Sequence, residues 1–82
     1  SVSIVGQVAK PGIYYLGSPM TVLELLARAG GIGPDAEDKK IAIVRTEGGK
    51  TVSYRFNYRD VSKGKRLEQN IELKNGDTVI VP

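Results

Sequence analysis

Cysteine and histidine are both absent from this chain of 82 residues. Without them, thiol nucleophiles, Ser-His-Asp triads and zinc fingers are excluded within the sequence. Long apolar runs are also missing, since no segment approaches the roughly 20 apolar residues of a membrane-spanning helix. We therefore expect no catalytic residues, no cofactor, no metal site and no membrane span in this domain.

The composition is that of a small folded domain with a modest positive charge. Charged residues make up 26% and hydrophobic residues 40% of the chain, which favours a packed core over disorder. The net charge of +3 is far from the dense basic face of a dedicated nucleic-acid-binding protein, so we expect no nucleic-acid partner. Because the chain opens on "SVSIV" without an initiator methionine, we expect residues 1–82 to be one domain excised from a longer protein.

The stretch "TVLELLARAGGIG" (residues 21–33) predicts one short helix followed by a glycine-rich end. Its glycines follow the helix, where free carbonyls lie, so they do not form a phosphate-binding loop. Thr21 and Glu24 have the spacing of a capping box, and Gly30 is predicted to take a left-handed conformation at the helix end. The apolar stripe of this helix consists of Val22, Leu25, Leu26 and Ala29.

Most of the remaining chain alternates between apolar and polar residues in the manner of strands. Turns are predicted at Pro11-Gly12, Gly48-Gly49 and Asn75-Gly76, and Gly6 marks a bulge or a close backbone approach. The polar connection "RDVSKGKRLEQN" has room for one short turn of helix. The predicted strands are SVSIVGQV, IYYL, KIAIVRT as a central strand, KTVSYRFNY, and two short strands forming a hairpin within IELKNGDTVIVP.

These elements predict an α+β fold with a small mixed sheet and one helix packed across one face. This is a β-grasp, or ubiquitin-like, arrangement in which the helix stripe packs against Ile41 and Ile43. A small all-β barrel with the helix closing one end is the alternative.

Three motifs in register resemble the SLBB domain, the soluble-ligand-binding β-grasp family. The resemblance spans nearly the whole chain. The motifs are a G-x-V-x-x-P-G turn at Gly6, Val8, Pro11 and Gly12, an A-G-G helix end at Ala29, Gly30 and Gly31, and a G-D-x-V-x-V-P close that begins at Gly76 and Asp77.

Within that family the sequence is most similar to polysaccharide export proteins of the outer-membrane type, a branch that the "IVR" after the helix favours. The resemblance implies a non-enzymatic structural and interaction module in a periplasmic export assembly for capsule or exopolysaccharide. Its partners would be the polysaccharide and neighbouring subunits of an oligomeric ring, and the isolated domain would be monomeric. Other relatives leave two alternatives, a binding domain for a soluble glycan or cobalamin-like ligand and a contact module for DNA uptake.

Candidate contact residues come from two places in the chain. Adjacent Tyr14 and Tyr15 must point to opposite faces of a strand, so at most one belongs to the core and the other is available for a partner. The second group is the only cluster of positive charge, in the basic loop "RDVSKGKR" (residues 59–66), where cations would meet an acidic polysaccharide, lipid head groups or a neighbouring subunit. It contains Arg59, Lys63, Lys65 and Arg66.

Isolated carboxylates have simpler interpretations. Asp77 follows an Asn-Gly turn and is predicted to stabilise that turn with its side chain. Asp35, Glu37 and Asp38 lie in one loop but lack the spacing of a calcium site, so we interpret them as solvated loop charges.

Overall fold

Five short strands and two short helices form in the structure, which is a computed structural model that describes residues 1–82. The strands are β1 (Val2–Gly6), β2 (Gly12–Tyr14), β3 (Ile41–Glu47), β4 (Lys50–Phe56) and β5 (Thr78–Val81). The helices are α1 (Val22–Arg28) and α2 (Tyr58–Ser62), followed by a 3-10 helix at Leu67–Gln69.

The strands form one mixed sheet in the order β2-β1-β5-β3-β4. Strands β1 and β5 are parallel, whereas the pairs β1–β2, β3–β5 and β3–β4 are antiparallel. The first and last strands therefore lie side by side, with β3 interior as predicted and α1 packed on one face. This confirms the predicted α+β, β-grasp-like fold.

Helix α1 has the ends that its sequence predicts. The Thr21 side chain accepts a hydrogen bond from the Glu24 amide, and the Glu24 carboxylate accepts one from the Thr21 amide, which completes the capping box. At the other end Gly30 has φ +84° and Gly31 has φ +87°. Their amides donate to the carbonyls of Ala27 and Leu26, so the helix ends in a Schellman motif.

One face of the sheet and the apolar stripe of α1 form the core. Ile4, Ile41, Ile43 and Phe56 are each at most 1% exposed, as the alternation along β1, β3 and β4 predicts. The stripe is fully enclosed, which confirms the predicted packing of α1. Its buried members are Val22, Leu25, Leu26 and Ala29.

The glycine-rich segments after β1 and after α1 lie against each other. Gly33 donates to the carbonyl of Gln7, and Lys10 donates to the carbonyl of Ala29. Gly6 lies so close to β5 that a Cβ atom there would be 2.0 Å from the Val81 carbonyl oxygen. Gly6 thus marks a close backbone approach, one of the two predicted alternatives.

Three predicted strands are shorter in the structure. The first, predicted at residues 1–8, covers Val2–Gly6. The returning strand predicted at residues 13–16 covers Gly12–Tyr14, because Tyr14 pairs with Val2, the first residue of β1. The strand predicted to reach Tyr58 ends at Phe56, which pairs with Ile41, the first residue of β3. Asn57 then caps α2.

The predicted hairpin around Asn75-Gly76 is wrong. The segment before this turn bonds to the entrance of α1: Leu73 donates to the Met20 carbonyl, and Val22 donates to the Ile71 carbonyl. Strand β5 pairs instead with β1 and β3. The turn itself is present, but its two arms serve different parts of the fold.

Candidate functional site

The two predicted groups of contact residues lie at opposite edges of the sheet. Tyr14 and Tyr15 belong to β2 and its end, whereas the basic loop follows β4, the other edge strand. With strands about 4.8 Å apart, four spacings separate these edges by about 19 Å. The structure therefore does not combine the tyrosines and the basic loop into one site.

The tyrosine pair divides as the alternation predicts. Tyr14 is half-buried against the core, and its hydroxyl donates to the Lys10 carbonyl. Tyr15 is 79% exposed and is the member that remains available to a partner.

The basic loop is held in a defined conformation by α2. The Asn57 side chain caps this helix by accepting from the Asp60 amide, and Val61 anchors it in the core at 3% exposure. The Asp60 carbonyl then accepts hydrogen bonds from the amides of both Lys63 and Lys65. Arg66 has φ +48°, the only positive φ at a non-glycine residue, which costs about 1–2 kcal/mol.

The four cations of the loop differ in their partners. Arg59 lies 3.5 Å from an Asp38 oxygen, and Arg66 Nε lies 2.9 Å from Asp60 Oδ2. Both arginine side chains are more than half exposed, so these ion pairs add little stability. Lys63 and Lys65 are exposed and form no ion pair with the chain.

Arg66 also lines the one cavity of the structure, which lies beside the end of β4. This polar cavity has a volume of about 350 Å³ and no apolar residue in its lining. Three cations and one carboxylate (Lys39, Arg55 and Arg66 against Asp60) give the lining a formal charge of +2. The lining residues are Lys39, Arg55, Asn57, Asp60, Arg66 and Gln69.

Lys39 and Arg55 are site residues that the sequence did not indicate. Lys39 comes just before β3, and Arg55 lies on β4 with its side chain opposite to buried Phe56. The available signal was the alternation of β4, which places Arg55 on the polar face. Their proximity to Arg66 depends on the sheet and on α2, and no sequence spacing reports it.

The amide side chains of the polar cavity are oriented by backbone contacts. The backbone N–H of Asn57 donates to Gln69 Oε1 at 2.7 Å, and the backbone N–H of Asp60 donates to Asn57 Oδ1 at 3.1 Å. Each side-chain oxygen already accepts one backbone hydrogen bond, whereas neither NH₂ group has a protein partner. The lining thus offers an excess of hydrogen-bond donors.

A second polar group lies at the margin of the core and is closed. Arg45 Nε and Nη2 donate to the two oxygens of Asp77 at 2.9 and 2.8 Å, and Nη2 also donates to the Glu72 carbonyl. Asp77 is 1% exposed and also accepts the Lys74 amide, which confirms its predicted role in the turn. The hydrogen bonds to Asp77 raise the pKa of Arg45 above its ordinary value. Because these bonds are made and both side chains are enclosed, this buried ion pair has a structural role and offers no opening for a ligand.

Beside this ion pair, Tyr54 contacts both an anion and a cation. The Tyr54 hydroxyl donates to the Glu47 carboxylate, and the Arg45 guanidinium lies 5.1 Å from the Tyr54 ring centroid. The hydrogen bond to Glu47 raises the pKa of Tyr54, with a smaller contribution from desolvation. Tyr54 and Glu47 thus connect the buried Arg45–Asp77 ion pair to the surface of β3 and β4.

Comparison with known proteins identifies one family. A family model described as the SLBB domain matches residues 1–81, nearly the entire chain. A search of curated proteins found no match. None of the helices has the length and apolar character needed to cross a membrane.

Proposed function

Because the chain belongs to the SLBB domain family, a family of ligand-binding modules, we propose that it serves as a non-enzymatic module of a polysaccharide-export assembly. The module is one domain of a longer parent protein in the periplasm, which associates with the outer membrane through other parts of that parent. Its partners are the exported capsule or exopolysaccharide and neighbouring copies of the same protein. No nucleic acid is expected among them.

The observation that carries this proposal is the polar cavity beside the basic loop. The cavity gathers cations on a frame that is held by the core, because α2 is anchored by Val61 and follows directly from β4. Because the backbone that carries these cations is already ordered, binding of an acidic polymer costs side-chain entropy but little backbone entropy. Repetition of the same face around a ring would multiply weak contacts into firm retention.

The surface of the domain supports contacts with neighbours that are modest in size. A standard interface buries about 800 Å² on each partner. That area is about a sixth of the 5058 Å² surface of this chain, so a domain that also meets the polymer has little surface to spare. Lateral contacts through Arg59, Lys63 and Lys65 would accordingly be small and weak, and assembly would depend on the whole parent.

The alternative ligands identified from the sequence receive less support. A cobalamin-like molecule needs a concave, mostly apolar pocket, but the polar cavity has no apolar lining. A DNA-contact face would combine basic residues with exposed aromatic rings. Here the exposed Tyr15 lies at the opposite edge of the sheet from the basic loop.

A secretion assay of the parent protein tests the proposal. The test variant carries Arg59→Ser, Lys63→Ser, Lys65→Ser and Arg66→Ser, and it should export less polymer at normal protein abundance. A matched control removes the same number of exposed cations elsewhere, through Lys10→Ser, Arg28→Ser, Lys50→Ser and Lys74→Ser. The control should export normally. Unchanged export by the basic-loop variant would contradict the proposal.

A further inference from the structure

The polar cavity presents donors in a pattern that identifies the chemistry of its ligand. Lys39 and Arg55 form no ion pair or side-chain hydrogen bond with the chain. Arg66 uses only Nε, which leaves its two terminal nitrogens unpartnered. We infer that the polar cavity binds a sugar unit that carries a single carboxylate, such as a uronic acid of an acidic glycan.

The guanidinium groups account for the carboxylate. A guanidinium offers paired N–H donors in a plane, which matches the two oxygens of a carboxylate. Arg55 and Arg66 line the same cavity, with Lys39 as a third, point-like cation. The NH₂ groups of Asn57 and Gln69 add neutral donors, because backbone amides occupy their oxygens.

Asp60 supplies the one carboxylate acceptor of the polar cavity. Its Oδ2 binds Arg66, but its Oδ1 accepts no hydrogen bond from the chain. The lining keeps a formal charge of +2 and attracts an anion, while Asp60 Oδ1 remains as an acceptor beside the cations. The same oxygen can accept a hydrogen bond from a hydroxyl, and sugar hydroxyls supply that donor beside the acid group.

The size of the cavity limits the ligand to a small unit. A volume of about 350 Å³ lies at the lower end of the roughly 300–1,000 Å³ range of ligand pockets. Because no apolar residue contributes, binding depends on charge and hydrogen bonds and should weaken as salt screens them. This inference rests on the proposed function for the source of the sugar, which is the exported polymer.

The test is a titration of the 82-residue chain followed by NMR chemical shifts. The probes are trigalacturonate, a neutral galactose trisaccharide and inorganic phosphate, each at low and at physiological salt. Trigalacturonate should shift the side-chain and backbone amide signals around Asn57 and Gln69 until the site is saturated. Its binding should be weaker at higher salt. Arg55→Gln should reduce its affinity about tenfold or more, because a charged hydrogen bond is lost. Arg28→Gln, which removes an exposed arginine on α1, should leave the affinity unchanged.

Three results would overturn the inference. These are equal binding of the neutral trisaccharide, tighter binding of phosphate than of trigalacturonate, and an affinity unaltered by Arg55→Gln. None of them decides the outcome of the secretion assay, which changes Arg66 together with Arg59, Lys63 and Lys65, three cations that do not line the cavity. Normal binding with unchanged export would instead count against the proposed function alone.

Discussion

Arg45 occupies a position that its strand pattern assigns to the core. It follows Ile41 and Ile43 on the inward phase of β3, and its residue is 8% exposed. A guanidinium at such a depth requires a partner, since an unpaired buried charge is costly. Asp77 satisfies it in a bidentate manner while also bonding the Lys74 amide of its own turn. One carboxylate therefore joins the last turn of the chain to the interior strand.

Removing one partner of the Arg45–Asp77 ion pair should strongly destabilise the domain. Asp77→Ala leaves Arg45 buried without its bidentate partner, with only a 3.8 Å contact to Glu47, and should lower the free energy of unfolding by about 3–5 kcal/mol. Urea denaturation of the single variants and of the Arg45→Met/Asp77→Ala double variant measures the coupling. The double variant should be much more stable than the sum of the single losses predicts, because it removes both buried charges. Additive losses would show that the two side chains are not coupled.

Tyr54 should titrate at higher pH than an ordinary tyrosine. Its hydrogen bond to Glu47 raises its pKa above the usual value of about 10. The protonated hydroxyl is thus favoured in the folded state, so its stabilising contribution is complete below pH of about 10 and is lost as the pH rises through the raised pKa. Spectrophotometric titration of wild type against Tyr54→Phe isolates this group among the four tyrosines. A difference curve centred at or below the ordinary value would contradict the raised pKa.

At the scale of elements, three short segments that are far apart in sequence depend on each other. The segment after β1 bonds to the end of α1 through Lys10 and Ala29, and to the end of β5 through Gln7 and Val81. Gly6 is the point of closest approach, where any side chain would meet the Val81 carbonyl. The parallel pairing of β1 and β5 therefore requires glycine there.

Gly6→Ala should destabilise the domain more than Gly31→Ala. Both glycines have a positive φ, +101° at Gly6 and +87° at Gly31, so each substitution introduces backbone strain. Only at Gly6 does the new Cβ clash, because no atom lies within 4 Å of a Cβ at Gly31. Thermal unfolding of the two variants compares them directly. Equal decreases in Tm would mean that β1 and β5 can separate at no cost.

The packing of α1 on the sheet has its own test. Leu26 is 1% exposed within the core, so Leu26→Ala should cost about 2–5 kcal/mol of unfolding free energy. Leu67→Ala is the matched control, since Leu67 is 58% exposed and should lose less than about 0.5 kcal/mol. Chemical denaturation measures both. A negligible loss at Leu26 would show that the helix stripe does not belong to the core.

At the scale of the whole molecule, we predict that the isolated domain is a monomer. The open face of the sheet exposes three large apolar side chains, Val5, Ile13 and Ile80, whereas a stable interface takes about 20–30 residues from each partner. The net charge of +3 adds a mild repulsion between copies. Sedimentation velocity should therefore show one species near 8.8 kDa across concentrations. A stable ring formed by the domain alone would contradict this prediction.

Local patterns in the sequence determined most of the elements of this protein. The capping box at Thr21, the left-handed Gly30 and the buried phase of β3 follow from interactions among residues that are near in the chain. Such interactions depend only on spacing and residue type, so they can be read without the fold. The SLBB motifs were legible for the same reason, as short runs of glycine, proline and apolar residues.

Tertiary structure alone decided which distant residues meet. The segment before Asn75-Gly76 has the pattern of a hairpin strand, yet it bonds to the entrance of α1, because β1 and β3 occupy both edges of β5. The Arg45–Asp77 ion pair and the polar cavity likewise form only in the folded chain. Lys39, Arg55 and Arg66 are separated in sequence by 16 and 11 residues, and only the sheet order and α2 bring them to one cavity. The periodicity of a sequence indicates on which side of its own strand or helix a side chain lies. It does not indicate which distant segment that side chain will contact, because the packing of the elements decides this.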